Sequence, residues 1–126
     1  MRIWDIPVSQ LCNKHLIAQH HEIHCIASIV IKFLREGKRS GFLNHPETQR
    51  WLNSKYPTSL LAIKHKETAN EMIRRGLKHN MNNDSASIHQ WFYVSGLSYD
   101  LDFPQSWQAI EVQKDLLRQK GCGCKV

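Results

Sequence analysis

The stretch from Leu16 to Cys25, LIAQHHEIHC, concentrates three of the chain's eight histidines and a glutamate between two apolar flanks. Two chemistries fit those residue types. His20 and His24 stand four residues apart, so on a helix both rings lie on one face and can share an ion. Glu22 points elsewhere, about 200° around the helix from His20. The HExxH zinc pattern is absent, because Cys25 stands where its second histidine belongs. A third ligand would have to come from a distant part of the chain, so the sequence assigns no metal and no cofactor. The second chemistry is acid–base work by Glu22. His15 lies seven residues earlier on nearly the same face, ~10 Å away along the axis. His15, His21, His24 and Arg2 form a basic surround in which the carboxylate stays ionised and in which DNA phosphates can be met.

These residues need a helix to hold them, and the sequence supplies one from about Lys14 to Arg35. Ile23, Ile26, Val30 and Phe33 recur at helical spacing, and Gly37 is a good terminator. In NHPETQRW, Asn44 or His45 caps a short helix with Pro46 in its first turn and Glu47 at its positive end. A third helix is capped by Thr58 or Ser59. Its inner stripe is Leu61, Ala62, His65, Ala69, Met72 and Ile73, closed by Arg74, Arg75 and Gly76. Lys78 to Tyr99 is irregular around the aromatic run Trp91 to Tyr93. A last helix begins near Asp102 and Pro104, faces inward with Phe103, Trp107, Ile110 and Leu117, and stops at Gly121. No strand ladder is visible. The fold expected is all-α, one compact domain over 1–126, with three main helices plus a short one.

Composition sets the partner class. The chain has 126 residues and a formal charge of +6, with a pI near 9.3. That balance favours an anionic partner, nucleic acid before a membrane surface. The longest apolar run, Cys25 to Leu34, is interrupted by Ser28 and Lys32, too short for a span. The start, MRIWDIPVSQ, has no apolar signal region. The cysteines Cys12, Cys25, Cys122 and Cys124 do not form a secreted disulfide scaffold, so free thiols in the cytoplasm are expected. The CxC of Cys122 and Cys124 reads most simply as two exposed thiols, although the pair can also bind metal or form a strained disulfide.

MRI at the start, HLIA at His15 to Ala18 and HE at His21–Glu22 resemble the pyrimidine-dimer DNA glycosylase family of the phage endonuclease V type. Its short bacterial relatives are closer still, in MRIWDIP, in HPETQRW at His45 to Trp51, and in EMIRRGLKH at Glu71 to His79. The resemblance runs from Met1 to about His79. It implies an all-α enzyme acting on double-stranded damaged DNA as a monomer, with glycosylase and AP lyase activity. It further implies that the nucleophile is the first residue's α-amine, here Met1, and that the essential acid is Glu22. Arg2 is bulky, so the initiator Met is expected to be retained. Chemistry agrees: an α-amine has a pKa of about 7.7–8.0, so a useful fraction is neutral at cellular pH. The chain departs from the family at His21, where arginine is usual. It departs from the phage enzyme at Cys25, also an arginine there, and at its GCGCKV end, which replaces an aromatic and basic tail. Those departures keep two alternatives open, a non-catalytic DNA-binding module and a glycosylase for another modified base.

Overall fold

A computed structural model describes residues 2–78 and 103–126. The readings made for Met1 and for Trp91 to Tyr93 lie outside the described residues. All regular structure among those described is helical: a 3-10 turn at Val8–Gln10, then α1 (Asn13–Glu36), α2 (Pro46–Leu52), α3 (Pro57–Arg74) and α4 (Ile110–Lys120). The all-α expectation holds, with α1, α3 and α4 as main helices and α2 as the short one.

The local signals explain most boundaries. Gly37 ends α1 in a left-handed conformation at φ 66°. Its N–H reaches the Phe33 carbonyl and that of Lys38 reaches Lys32, a helix-closing turn that costs glycine little. His45 caps α2 through its ring, which accepts from the Glu47 N–H. The start of α3 differs from expectation. Pro57 occupies its first turn and Tyr56 precedes it without a side-chain cap, so proline's fixed φ replaces Thr58 or Ser59. The last helix also starts later than expected. Residues 103–109 stay irregular, and Ser106 Oγ accepts the Gln108 N–H, a local turn that competes with helix.

The core has two halves, and both draw on α1 and α3. One gathers Ile23, Ile26, Ala27 and Val30 of α1 with Leu60 to Ala62 of α3, Trp51 and Ile3. The other gathers Leu16, Met72, Leu117, Trp4, Ile6 and Leu11. The extended N-terminal segment feeds both. Three residues expected inside are outside: Ile73, Trp107 and Ile110 are 60, 46 and 46% exposed. The inner face of α4 is instead Gln113 and Leu117. Gln113 is buried because it closes a polar seam, donating to Asp5 and the Gln108 carbonyl and accepting the Asp5 N–H.

Candidate active site

The N-terminal segment is clamped onto the helices by buried polar groups. Gln19, on α1, accepts the Trp4 N–H at 2.8 Å and donates to Thr68 Oγ1 of α3 at 3.1 Å. Arg50 of α2 donates to the Ile3 carbonyl at 3.2 Å, to Glu47 at 2.8 Å and to Asp5. Both Glu47 oxygens are occupied: Trp51 Nε1 donates to one at 2.8 Å and Trp107 Nε1 to the other at 3.1 Å. Ile3, Trp4 and Asp5 therefore sit in fixed positions one helical turn before Glu22. The HPETQRW stretch reads in sequence as a helix start, and the structure turns it into this clamp.

Glu22 is half-buried on α1. Among the described residues no hydrogen bond or ion pair engages its carboxylate. Its charge reaches Cys25, whose thiol is pushed up in pKa first by burial and then by Glu22. His21 is exposed, and its Nε2 lies 3.5 Å from the Cys25 sulfur. Further along the same side of α1, Ser28, Ile29 and Lys32 join Lys38 and Arg39 in lining a groove of about 250 Å³. The open side of α1 thus carries a carboxylate with no hydrogen-bond or ion-pair partner among the described residues and, toward its C-terminus, the cations Lys32, Lys38 and Arg39. Two larger clefts, of about 550 and 510 Å³, are lined around Arg50 and Tyr56 and around Asp5 and Trp107, and neither includes Glu22.

Three residues expected at the DNA face have other partners. The Arg2 guanidinium is stacked between Trp4 and Trp107, 4.7 and 4.4 Å from the ring centroids. Burial pulls its pKa down against the attraction of Glu47 and Asp5. Its Nη1 is buried with no hydrogen-bond partner among the described residues. A guanidinium so held contributes a cation–π clamp rather than a reaching arm. His15 Nδ1 lies 3.1 Å from Cys12 Sγ and 3.5 Å from Cys124 Sγ, and burial lowers its pKa. His24 Nε2 lies 3.1 Å from His20 Nε2, which lies 3.2 Å from His65 Nε2.

Those last distances bear on metal. Sequence leaves the His20–His24 pair one ligand short, and α3 supplies it as His65. The three ring nitrogens lie within 4.8 Å of one another, and two of the separations match the ~3.3 Å edge of a tetrahedral zinc–imidazole site. Each imidazole also has a further interaction. The cluster can hold a divalent cation or pass a proton among its rings. His65 stands in the sequence as an ordinary inward-facing helix residue, so nothing local marks it as a partner for His20.

A second inward group is Lys64, nearly buried, 3.6 Å from Glu67 and 5.2 Å from the Phe103 ring centroid. Burial lowers its pKa. It is the described lysine best placed to become a neutral amine; in sequence, the run Lys64–His65–Lys66 reads as a solvated basic stretch or part of a phosphate track, and the burial of Lys64 corrects the solvated reading.

A family model described as pyrimidine dimer DNA glycosylase matches residues 1–85. No curated protein matches significantly. No solved structure does either.

Proposed function

Because this chain belongs to the pyrimidine-dimer DNA glycosylase family, we propose that it excises damaged pyrimidines from double-stranded DNA and then cuts the strand, with the α-amine of Met1 as nucleophile and Glu22 as acid–base. In this reading the neutral amine attacks sugar C1′ as the glycosidic bond breaks and the base departs with a proton. The amine then loses a proton, O4′ gains one, and the C1′–O4′ bond opens to leave a C1′=N imine. The resulting imine acidifies C2′, and β-elimination breaks the bond to the 3′ oxygen. Glu22 stabilises the cationic sugar and carries protons between the base, C2′ and solvent.

The observation that supports this reading is a Glu22 carboxylate without a hydrogen-bond partner among the described residues, on the helix that clamps the N-terminal segment. The Trp4 N–H is fixed on Gln19, three residues before Glu22 on the same helix. Ile3, two residues after Met1 in the chain, is held in turn by Arg50 of α2 through its carbonyl. The groove lined by Lys32, Lys38 and Arg39 supplies phosphate contacts along the same side of α1.

Borohydride trapping on duplex DNA with an abasic site tests the nucleophile. Protein with a free Met1 amine is expected to form a covalent adduct that maps to residue 1. Acetylation of that amine removes its nucleophilicity and is expected to abolish trapping. Undiminished trapping by the acetylated chain would defeat the assignment and direct attention to Lys64.

A further inference from the structure

Away from Glu22, the two ends of the described chain meet in a cluster that this function does not use. Cys12 precedes α1 and His15 lies in its first turn, so the two side chains share one side of the helix entrance. Cys122 and Cys124 follow α4, where Gly121 and Gly123 have φ of 59° and 93°. Those left-handed glycines curl the backbone so that both sulfurs face the same way. The Cys122 and Cys124 sulfurs are 3.4 Å apart. Cys12 Sγ and His15 Nδ1 are 3.1 Å apart, and Cys124 Sγ is 3.5 Å from His15 Nδ1. All four donor atoms lie within 4.8 Å of one another.

We propose that Cys12, His15, Cys122 and Cys124 form a tetrahedral Zn²⁺ site that fastens the end of α4 to the entrance of α1. Three thiolates and one imidazole are a donor set that zinc takes in closed structural sites. Zinc–sulfur bonds of ~2.3 Å and zinc–nitrogen bonds of ~2.0 Å give tetrahedral edges of about 3.8 and 3.5 Å. The observed separations need only small side-chain adjustments to reach them. Burial of apolar groups cannot account for the arrangement, because it has no tendency to aim four heteroatoms at one point. The neighbours are apolar: Cys124 packs with Val126 on the cluster of Leu11, Leu16 and Leu117.

The surroundings are those of a ligand site. The Cys12 N–H donates to Cys124 Sγ at 3.1 Å, a bond that stabilises a thiolate and orients it. The Lys125 N–H donates to the Gln10 carbonyl at 2.7 Å, and Arg118 Nε to the Val126 carbonyl at 2.9 Å, so the backbone around the sulfurs is fixed. With four protein ligands no position remains for a reactant, and the role is therefore structural. A sulfur separation of 3.4 Å is far from a disulfide's ~2.05 Å. The thiols are half-buried, which corrects the reading of two exposed thiols.

Metal content of the untagged full-length chain, purified under reducing conditions, tests the site. About one zinc per chain is expected, lost in Cys122→Ser/Cys124→Ser and in Cys12→Ser and kept in His65→Ala. Cobalt(II) added to the stripped wild-type chain should give thiolate-to-metal charge-transfer absorption, a measurement that depends on no variant folding. A chelator should lower the wild-type Tm by roughly 10 °C or more. Absence of both bound zinc and the cobalt–thiolate band would overturn the proposal. So would zinc that survives the double cysteine variant but is lost with His65→Ala, and so would an intact mass showing a disulfide in the reduced preparation.

Discussion

Glu22 and Glu47 are the same residue type, each on a helix beside the N-terminal segment, and they sit in opposite electrostatic conditions. Glu47 is buried, and both oxygens are occupied by Arg50 and two indoles. Glu22 is half-buried and takes no hydrogen bond among the described residues. A carboxylate whose two oxygens already accept three hydrogen bonds from buried donors has little capacity left for a substrate and serves position. An unengaged one beside a basic groove keeps its acceptor capacity for a cation or proton that arrives later. The contrast separates the scaffold from the chemistry.

Substitution should expose that difference, with the largest effect at Glu47. Glu47→Ala leaves Arg50 and two indole N–H groups short of a partner. It is expected to cost about 3–5 kcal/mol in denaturant unfolding, the usual range for breaking a buried ion pair. Glu22→Gln is expected to change stability by less than ~0.5 kcal/mol. The same variant should slow cleavage of dimer-containing and abasic DNA by roughly 10²-fold or more, about 2.7 kcal/mol in the barrier, while duplex binding holds or tightens. A Glu22→Gln protein that cleaves at the wild-type rate would erase the distinction.

Smaller effects sharpen the comparison. DNA affinity should fall linearly with salt on logarithmic axes. Lys32→Ala and Arg39→Ala should each reduce the slope by about 1, and His21→Ala should weaken binding. An affinity indifferent to salt would remove the groove from the DNA face. The smallest effect concerns a third carboxylate. Arg74 and Arg75 hydrogen bonds hold Glu71 down to about 2 from 4.5. Arg75 also donates to the Val8 and Ser9 carbonyls, tying α3 to the N-terminal segment. The unfolded chain takes up this proton near pH 4.5 and the folded chain near pH 2. The stabilisation is therefore full above about pH 4.5 and drains away as the pH falls toward 2. Because Arg74 is largely exposed, its size is expected to be about 1 kcal/mol. Glu71→Gln should flatten that part of the acid unfolding curve.

The sequence by itself determined the helices and the family. Helix formation, capping and termination depend on residues within one or two turns, so Gly37, His45–Pro46 and Gly121 act where they stand. The match over residues 1–85 coincides with the motifs that pointed to Glu22. Local patterns failed where packing outweighed them: Ile73 and Ile110 have inward spacing yet stay largely exposed, and Arg2 stacks between two tryptophans.

Tertiary structure alone decided which polar groups meet. His20 gains His65 from 45 positions away, and Cys12 gains Cys124 from 112 positions away. Arg50 reaches Ile3 across 47 positions. Periodicity reports which way a side chain faces on its own helix and carries no information about what another helix places opposite. The packing of α1 on α3 and the return of the chain after α4 set those encounters. The acid–base candidate could therefore be read from one helix, whereas the histidine and cysteine–histidine clusters appeared only once the helices were packed.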